Sequence, residues 1–417
     1  LLLFLLSSID ALIAARAHAA SPQEATADVG ASLGVTNNAG NTAQGDGAAT
    51  ADGFATVGGA LAYRIVSPSI TQTMNYGLGL NVFGTRSQRV SMSHSLEYRS
   101  VFTLTPKLLL RLGGGGTYAR FGDLDTLRTA EGAASAVRPA GNGQYLRFTA
   151  AEGLDWTLKR DTWDLSQAST WAVLVPFGET RVQQKAMNAG ASLALNRRWY
   201  AHSANLTASG GWAHAYEQTS AGMVLRPDLT VALLEGRVGW QHVVNPSWTW
   251  SASAGAAAGK RTGRDDVFIA DVASAALTYS RLKSNAFGSL EAIRGAVPNL
   301  FVGDVIRTNG VSLRGATLLG SRLLWSLNAS AGYQTGRSLG GDEALFGEIR
   351  VAFARIGITY DTRDDVAYSL DYSFTNQQTD AVADASAAVS LASFNRHFLI
   401  FGVTYRYPPR RARAGFE

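Results

Sequence analysis

Apolar and polar residues alternate along most of this chain with a period of two, and the alternating runs are long. Between Thr73 and Phe83, Met74, Tyr76, Leu78, Leu80 and Val82 share one phase, while Thr73, Asn75, Gly77, Gly79 and Asn81 share the other. Val90, Met92, Leu96 and Tyr98 oppose Ser91, Ser93, Ser95, Glu97 and Arg99. Late in the chain Leu323, Trp325, Leu327, Ala329, Ala331 and Tyr333 oppose Arg322, Ser326, Asn328, Ser330 and Gly332, and Val366, Tyr368, Leu370, Tyr372 and Phe374 oppose Ala367, Ser369, Asp371, Ser373 and Thr375. A helix would bring residues three and four apart onto one face and mix these sets, whereas a strand keeps them separate. These stretches predict strands with one apolar and one polar face.

A soluble sandwich also alternates, but its strands commonly run to about five or six residues. Here the pattern persists for about ten or more, the length a tilted strand needs to cross a bilayer. A whole strand face of Ser, Asn, Asp and Arg suits a water-filled lumen better than a packed core. Short connections fall at Ser67–Ser69, Thr105–Lys107, Lys159–Asp161, Asn196–Arg198, Asn245–Ser247, Leu282–Asn285, Leu319–Ser321 and Asp361–Asp365, where Pro, Gly, Asn and Ser supply turn geometry. Longer connections are expected at Asp123–Gly143, Glu217–Thr230, Gly259–Asp266, Pro298–Asp304, Gly336–Glu343 and Thr379–Phe394. Eight short turns with free terminal strands give an all-β, closed antiparallel transmembrane barrel of about eighteen strands. Sixteen is the alternative, because Thr26–Val35 also reads as a lead-in and Trp171–Pro176 is short. Short turns would face the periplasm and long loops the exterior. Closure is a physical requirement, since unpaired backbone groups cost several kcal/mol each in hydrocarbon. Tyr63, Tyr98, Trp199, Trp240, Trp248, Tyr279, Trp325 and Tyr405 lie near the short turns or the final end and would form an interfacial aromatic girdle. Within the strand-like run at Gly113–Gly116, close packing of a curved wall explains the glycines better than phosphate binding, which would want a following helix.

Composition narrows the function classes. Charged residues make up only 17% of the 417 residues. Cysteine is absent, which excludes disulfides, thiol nucleophiles and thiolate metal sites. The formal charge of +5 comes from dispersed Lys and Arg, with one cluster at Arg410, Arg411 and Arg413 behind Pro408-Pro409. That arrangement argues for a tail contact rather than nucleic-acid binding. Residues 1–19 read as the apolar and cleavage regions of a secretory signal, from Leu1–Leu6 to the small-x-small Ala17-His18-Ala19. The expected organisation is a signal at 1–19, a barrel at 20–407 and a Pro/Arg-rich tail at 408–417.

The last strand, Phe398–Tyr407, alternates Leu399, Phe401 and Val403 with Gly402 and Thr404 and ends in Tyr405 and Tyr407. In these residues the chain resembles Gram-negative outer-membrane β-barrel proteins, including poorly characterised barrel porins, and Gly402, Tyr405 and Tyr407 resemble that superfamily's C-terminal assembly signal. The resemblance implies residence in outer-membrane lipid and recognition by the barrel-assembly machinery. The extension Pro408–Glu417 departs from the family pattern, which usually stops near the terminal aromatic residue.

Function then rests on the inner face. Glu97, Arg99, Arg111, Asp155, Arg314, Glu348, Arg350, Asp371 and Arg406 are the candidate lumen-lining residues. Mixed charges would orient small polar solutes, and fixed arginines would favour anions. The expected function is a porin-like channel; the alternative is a plugged or non-conducting barrel with structural, assembly or export duties. A hydrolase is the third class, but His94, His202, His214, His242 and His397 are isolated in sequence, as are the acidic pairs Asp123/Asp125, Asp265-Asp266 and Asp364-Asp365. No metal, cofactor or nucleotide motif appears. Val351 and Phe353 are out of phase with Ile356, Ile358 and Tyr360, which predicts a bulge near Arg355. The oligomeric state is not legible in the chain.

Overall fold

The computed structural model describes residues 23–38, 51–84, 90–120, 144–159, 162–177, 185–216, 218–220, 223–226, 228–262, 267–281, 285–299, 304–319, 324–338, 348–362, 365–380 and 393–407. The expected signal at 1–19 and the expected tail at 408–417 lie outside them. The first half of the wall is β1 (Gln23–Thr36), β2 (Asp52–Val66), β3 (Ile70–Phe83), β4 (Val90–Thr105), β5 (Leu108–Arg120), β6 (Gln144–Lys159), β7 (Trp163–Phe177), β8 (Ala186–Trp199) and β9 (His202–Ala215). A short hairpin, β10 (Gln218–Ser220) and β11 (Met223–Arg226), follows outside the wall. The wall resumes with β12 (Leu229–Asn245), β13 (Trp248–Arg261), β14 (Val267–Arg281), β15 (Ala286–Asn299), β16 (Asp304–Leu319), β17 (Trp325–Ser338), β18 (Ile349–Asp361), β19 (Val366–Thr379) and β20 (Phe394–Tyr407).

Every wall strand pairs antiparallel with its sequence neighbour, and β1 closes on β20 from Ala27↔Tyr407 to Thr36↔Phe398. The barrel therefore has 18 strands and no free edge over that seam. Thr26–Val35 is a wall strand rather than a lead-in, and Trp171–Pro176 belongs to a strand of 15 residues. Following the register once around returns to β1 displaced by about 22 residues. With ordinary strand spacing and rise, that stagger sets a tilt of about 40° and a backbone diameter of about 35 Å.

The short connections fall on one rim. Ser67 Oγ accepts from the Ile70 amide at 3.1 Å, and Asn245 Oδ1 accepts from the amides of Ser247 and Trp248 at 2.8 and 3.0 Å, so side chains complete these turns locally. One turn differs from the sequence reading. Asn196–Arg198 continue β8, and the reversal comes at Tyr200-Ala201, where Tyr200 adopts φ 50. Asparagine is a good turn former, but here Asn196 stays in the ladder opposite Asn205. The bulge expected near Arg355 is also absent: β18 keeps one register with both neighbours from Ile349 to Tyr360. Val351 and Phe353 break the phase because they point inward near the long-loop rim, where Val351 is buried.

The two faces of the wall are chemically opposite. Outward residues include Leu33 at 66% exposure, Leu234 at 66% and Ile269 at 76%, with Val29, Leu61, Leu78, Leu206, Leu313 and Phe401 also exposed. Eighteen paired strands with a predominantly apolar exterior form a surface suited to hydrocarbon rather than water. The inner face changes with height. Near the short turns it is polar and open, whereas near the long loops Phe54, Phe83, Phe398 and Ile400 form one buried cluster and Ala119, Tyr145 and Leu174 another. A third joins Val231, Ala257, Ala270, Val272, Ala296 and Val305.

Candidate functional site

The lumen is built by the strand residues that alternate with the exposed apolar set. Seven of the nine charges nominated from the sequence project from that inner face: Glu97 and Arg99 on β4, Arg111 on β5, Asp155 on β6, Arg314 on β16, Asp371 on β19 and Arg406 on β20. Six strands thereby contribute charges to one water-facing surface, and most are held in pairs. Arg99 pairs with Glu97 on its own strand. Arg111 donates to Asp155 across the β5–β6 ladder at 2.8 Å, and Arg355 to Asp371 at 3.0 Å. Arg406 donates to Asp28 at 3.0 Å, which places a charge pair over the β1–β20 closing seam. Arg198–Asp164 at 2.7 Å and Arg237–Glu235 add two further inner pairs.

Arg314 is different. It is exposed in the lumen and has no ion pair or hydrogen bond among the described residues. Arg64, on the inner face of β2, is likewise exposed and unpaired among them. It lines a recess of about 300 Å³ near the short-turn rim together with Glu24, Thr26, Asn75, Glu97 and Arg99. Sequence reading missed Arg64 because it occupies the polar phase of a strand whose middle is Gly, Ala and Leu, where alternation is weak.

Glu348 and Arg350 sit elsewhere, at the long-loop end of β18 and on the phase of the outward Ile356. Arg337 donates to Glu348 at 2.8 Å, and Arg350 reaches Glu348 at 3.5 Å and Asp380 at 3.4 Å. The hydrogen bond from Arg337 holds the Glu348 carboxyl below its ordinary 4.5, against a smaller opposing effect of desolvation. These four residues clasp the ends of β17, β18 and β19 rather than face the lower lumen.

Tyr63, Tyr98, Trp199, Trp240, Trp248, Tyr279, Trp325 and Tyr405 all lie on the outward phase, toward the short-turn rim. Trp248 and Tyr279 rings lie 4.9 Å apart on adjacent strands, and Trp325 and Tyr360 lie 4.6 Å apart. Stacked His202 and His242, 4.4 Å apart, join this level beside Trp199 and Trp240. Of the terminal-strand residues, Gly402 faces inward while Tyr405 and Tyr407 face outward.

The inner apolar clusters are the feature that sequence reasoning missed. Their signal was present: Phe54, Phe83, Phe398 and Ile400 carry the polar phase of their strands at the loop ends. Among the described residues no group of three or more His, Asp or Glu is arranged to hold a metal ion. Asp123, Asp125, Asp265, Asp266 and Asp364 lie outside those residues.

A closed tilted wall, an apolar belt and an aromatic girdle at one rim define the class: a transmembrane β-barrel. No protein-family model matches this chain. No curated protein matches it either. In fold it is similar to several solved barrels. The ferric-catecholate import receptor Fiu of E. coli K12 shares 8% identity at a TM-score of 0.47, over 92% of this chain and 82% of that one. OccAB2 of Acinetobacter baumannii shares 9% at 0.46, over 92% and 98%, and OccK2 of Pseudomonas aeruginosa 10% at 0.46, over the same shares. Likenesses this distant carry no functional argument.

Proposed function

We propose that this barrel is an outer-membrane channel for passive diffusion of small polar solutes, with a preference for anions. The observation that carries the reading is the lower lumen, a wide polar inner face on which Arg64 and Arg314 stand exposed and unpaired while most other inner charges cancel in pairs. Exposed arginines in a confined aqueous path attract anions. The solutes are small, polar and soluble. Outer-membrane lipid surrounds the apolar belt, and the outward Tyr405 and Tyr407 of β20 present the strand to the barrel-assembly machinery.

A second reading is favoured by the buried inner clusters at the long-loop end, which suit a closed barrel with a structural, assembly or export duty. Planar-bilayer recordings of the folded protein separate the two. Reproducible conductance steps with anion-shifted reversal potentials support the channel; a folded, silent barrel supports the closed form. Arg314→Gln is expected to move the reversal potential toward cations, and an unchanged potential would remove Arg314 from the mechanism.

A further inference from the structure

One seam of the wall is parted. The β14–β15 ladder runs from Arg281↔Ala286 to Ala273↔Arg294 and stops, although β14 continues to Val267 and β15 to Asn299. Val267–Val272 remain paired with β13, and residues 295–299 remain paired with β16, so both strands keep their outer neighbours while separating from each other. The ends of β15 and β16 turn inward instead. Their backbones come within 8 Å of β9, and β16 also comes within 8 Å of β12, although three strands of the wall separate β9 from β15.

Side-chain phase gives the same picture. Ala296 and Val305 belong to the outward phase of β15 and β16, yet both are buried against Val231, Ala257, Ala270 and Val272, which are inward residues of β12, β13 and β14. Outer face packs on inner face only if the hairpin end lies inside the barrel, across the lumen wall. Gly295 stands at the parting point, and a methyl group there would lie 3.5 Å from the Arg237 guanidinium on the lumen side. Gly310 lies close by on β16, opposite Ile293, so both strands of the hairpin carry a residue that bends cheaply. At the mouth of the parting, Arg294 donates to Asp271 at 2.9 Å, and Arg307 pairs with the same carboxylate.

We propose that the inward end of the β15–β16 hairpin is a gate that narrows the lumen, latched by Asp271 to Arg307. Opening swings the hairpin outward about Gly295 and Gly310 and extends the existing register, pairing β14 residues 268–272 with β15 residues 299–295. The balance is close for a physical reason. The inward state buries an apolar cluster but leaves a β14 edge without a partner strand, and the outward state restores the ladder, short of the N–H that Pro298 lacks, while uncovering the cluster. A few kcal/mol on either side makes such an element two-state.

The absence of cysteine makes the test direct. In the extended register Ala270 faces Val297 on the same inner phase, whereas with the hairpin inward Val297 is turned away from β14. The double variant Ala270→Cys/Val297→Cys is refolded, checked for heat-modifiable migration, and oxidised in membranes beside Ala275→Cys/Ala292→Cys, a pair already opposed in the ladder. A disulfide in the first pair, with larger conductance steps that revert on reduction, is the expected result. Adding Asp271→Asn, which removes the contact with Arg307, should raise its yield about twofold. A folded protein that cross-links only the control pair, with or without Asp271→Asn, overturns the gate, and so does a cross-link that leaves conductance unchanged. The gate rests on the channel reading, and the two fail separately. Silence of free and cross-linked protein alike refutes the channel, whereas currents with no first-pair cross-link refute the gate alone.

Discussion

The face assignment of the closing strand can be tested with two adjacent residues. Leu33 points outward at 66% exposure and lies opposite Phe401, while Ser32 faces the lumen opposite Gly402. Leu33 stands six residues beyond Ala27, the partner of Tyr407 at the short-turn rim. At the tilt derived above, those six residues rise about 15 Å, close to the middle of an apolar band about 25 Å tall. An arginine there faces hydrocarbon and should cost about 2–4 kcal/mol, whereas the same side chain one residue earlier reaches water in the lumen and should cost about 0.5 kcal/mol or less. The contrast is therefore at least about tenfold in the folding equilibrium. Reversible denaturant unfolding of Leu33→Arg and Ser32→Arg in lipid vesicles measures both. Equal losses, or a larger loss for Ser32→Arg, would refute the assignment of inside and outside on β1 and with it the membrane reading of the wall.

Arg99→Gln and Arg406→Gln should shift ion preference less than Arg314→Gln, because Glu97 and Asp28 already neutralise the first two; reversal potentials in a salt gradient rank them. Gly115→Ala should cost about 1–3 kcal/mol, since its methyl would lie 2.8 Å from the Leu96 carbonyl oxygen, while Gly113→Ala, 3.6 Å from the Tyr98 carbonyl oxygen, should be nearly neutral in the same unfolding assay. Glu348 has a lowered folded value, so its contribution to the β17–β18–β19 clasp is present above the ordinary 4.5 and is lost as pH falls through that lower value. An NMR titration should place the Glu348 midpoint below 4.5, and Arg337→Gln should move it back upward.

Much of this architecture was legible because strand alternation is a local property. Thr73–Phe83 shows its two faces without reference to any other strand, and Pro106 and Pro246 mark turns by their own chemistry. The run at Gly113–Gly116 was read as close packing, and Gly116 does lie beneath the Phe148 ring. The turn placed at Asn196–Arg198 was misread because a favourable turn residue can be retained in a ladder when its neighbours pair. Charges such as Arg111 and Asp155 were readable as inward, but their pairing was not, since it depends on the register between strands 44 residues apart in sequence.

The amino-acid sequence by itself determined the strands, their faces and the rim on which the chain turns tightly, because each depends on residues within a few positions of one another. Tertiary structure decided the rest. Only the closed register shows that Arg314 and Arg64 lack partners among the described residues while Arg406 has Asp28. Only the meeting of β15 and β16 with β9 and β12 turns Ala296 and Val305, outward residues by phase, into buried ones. An alternating strand specifies which side is apolar, but what that side meets is set by where the whole wall bends.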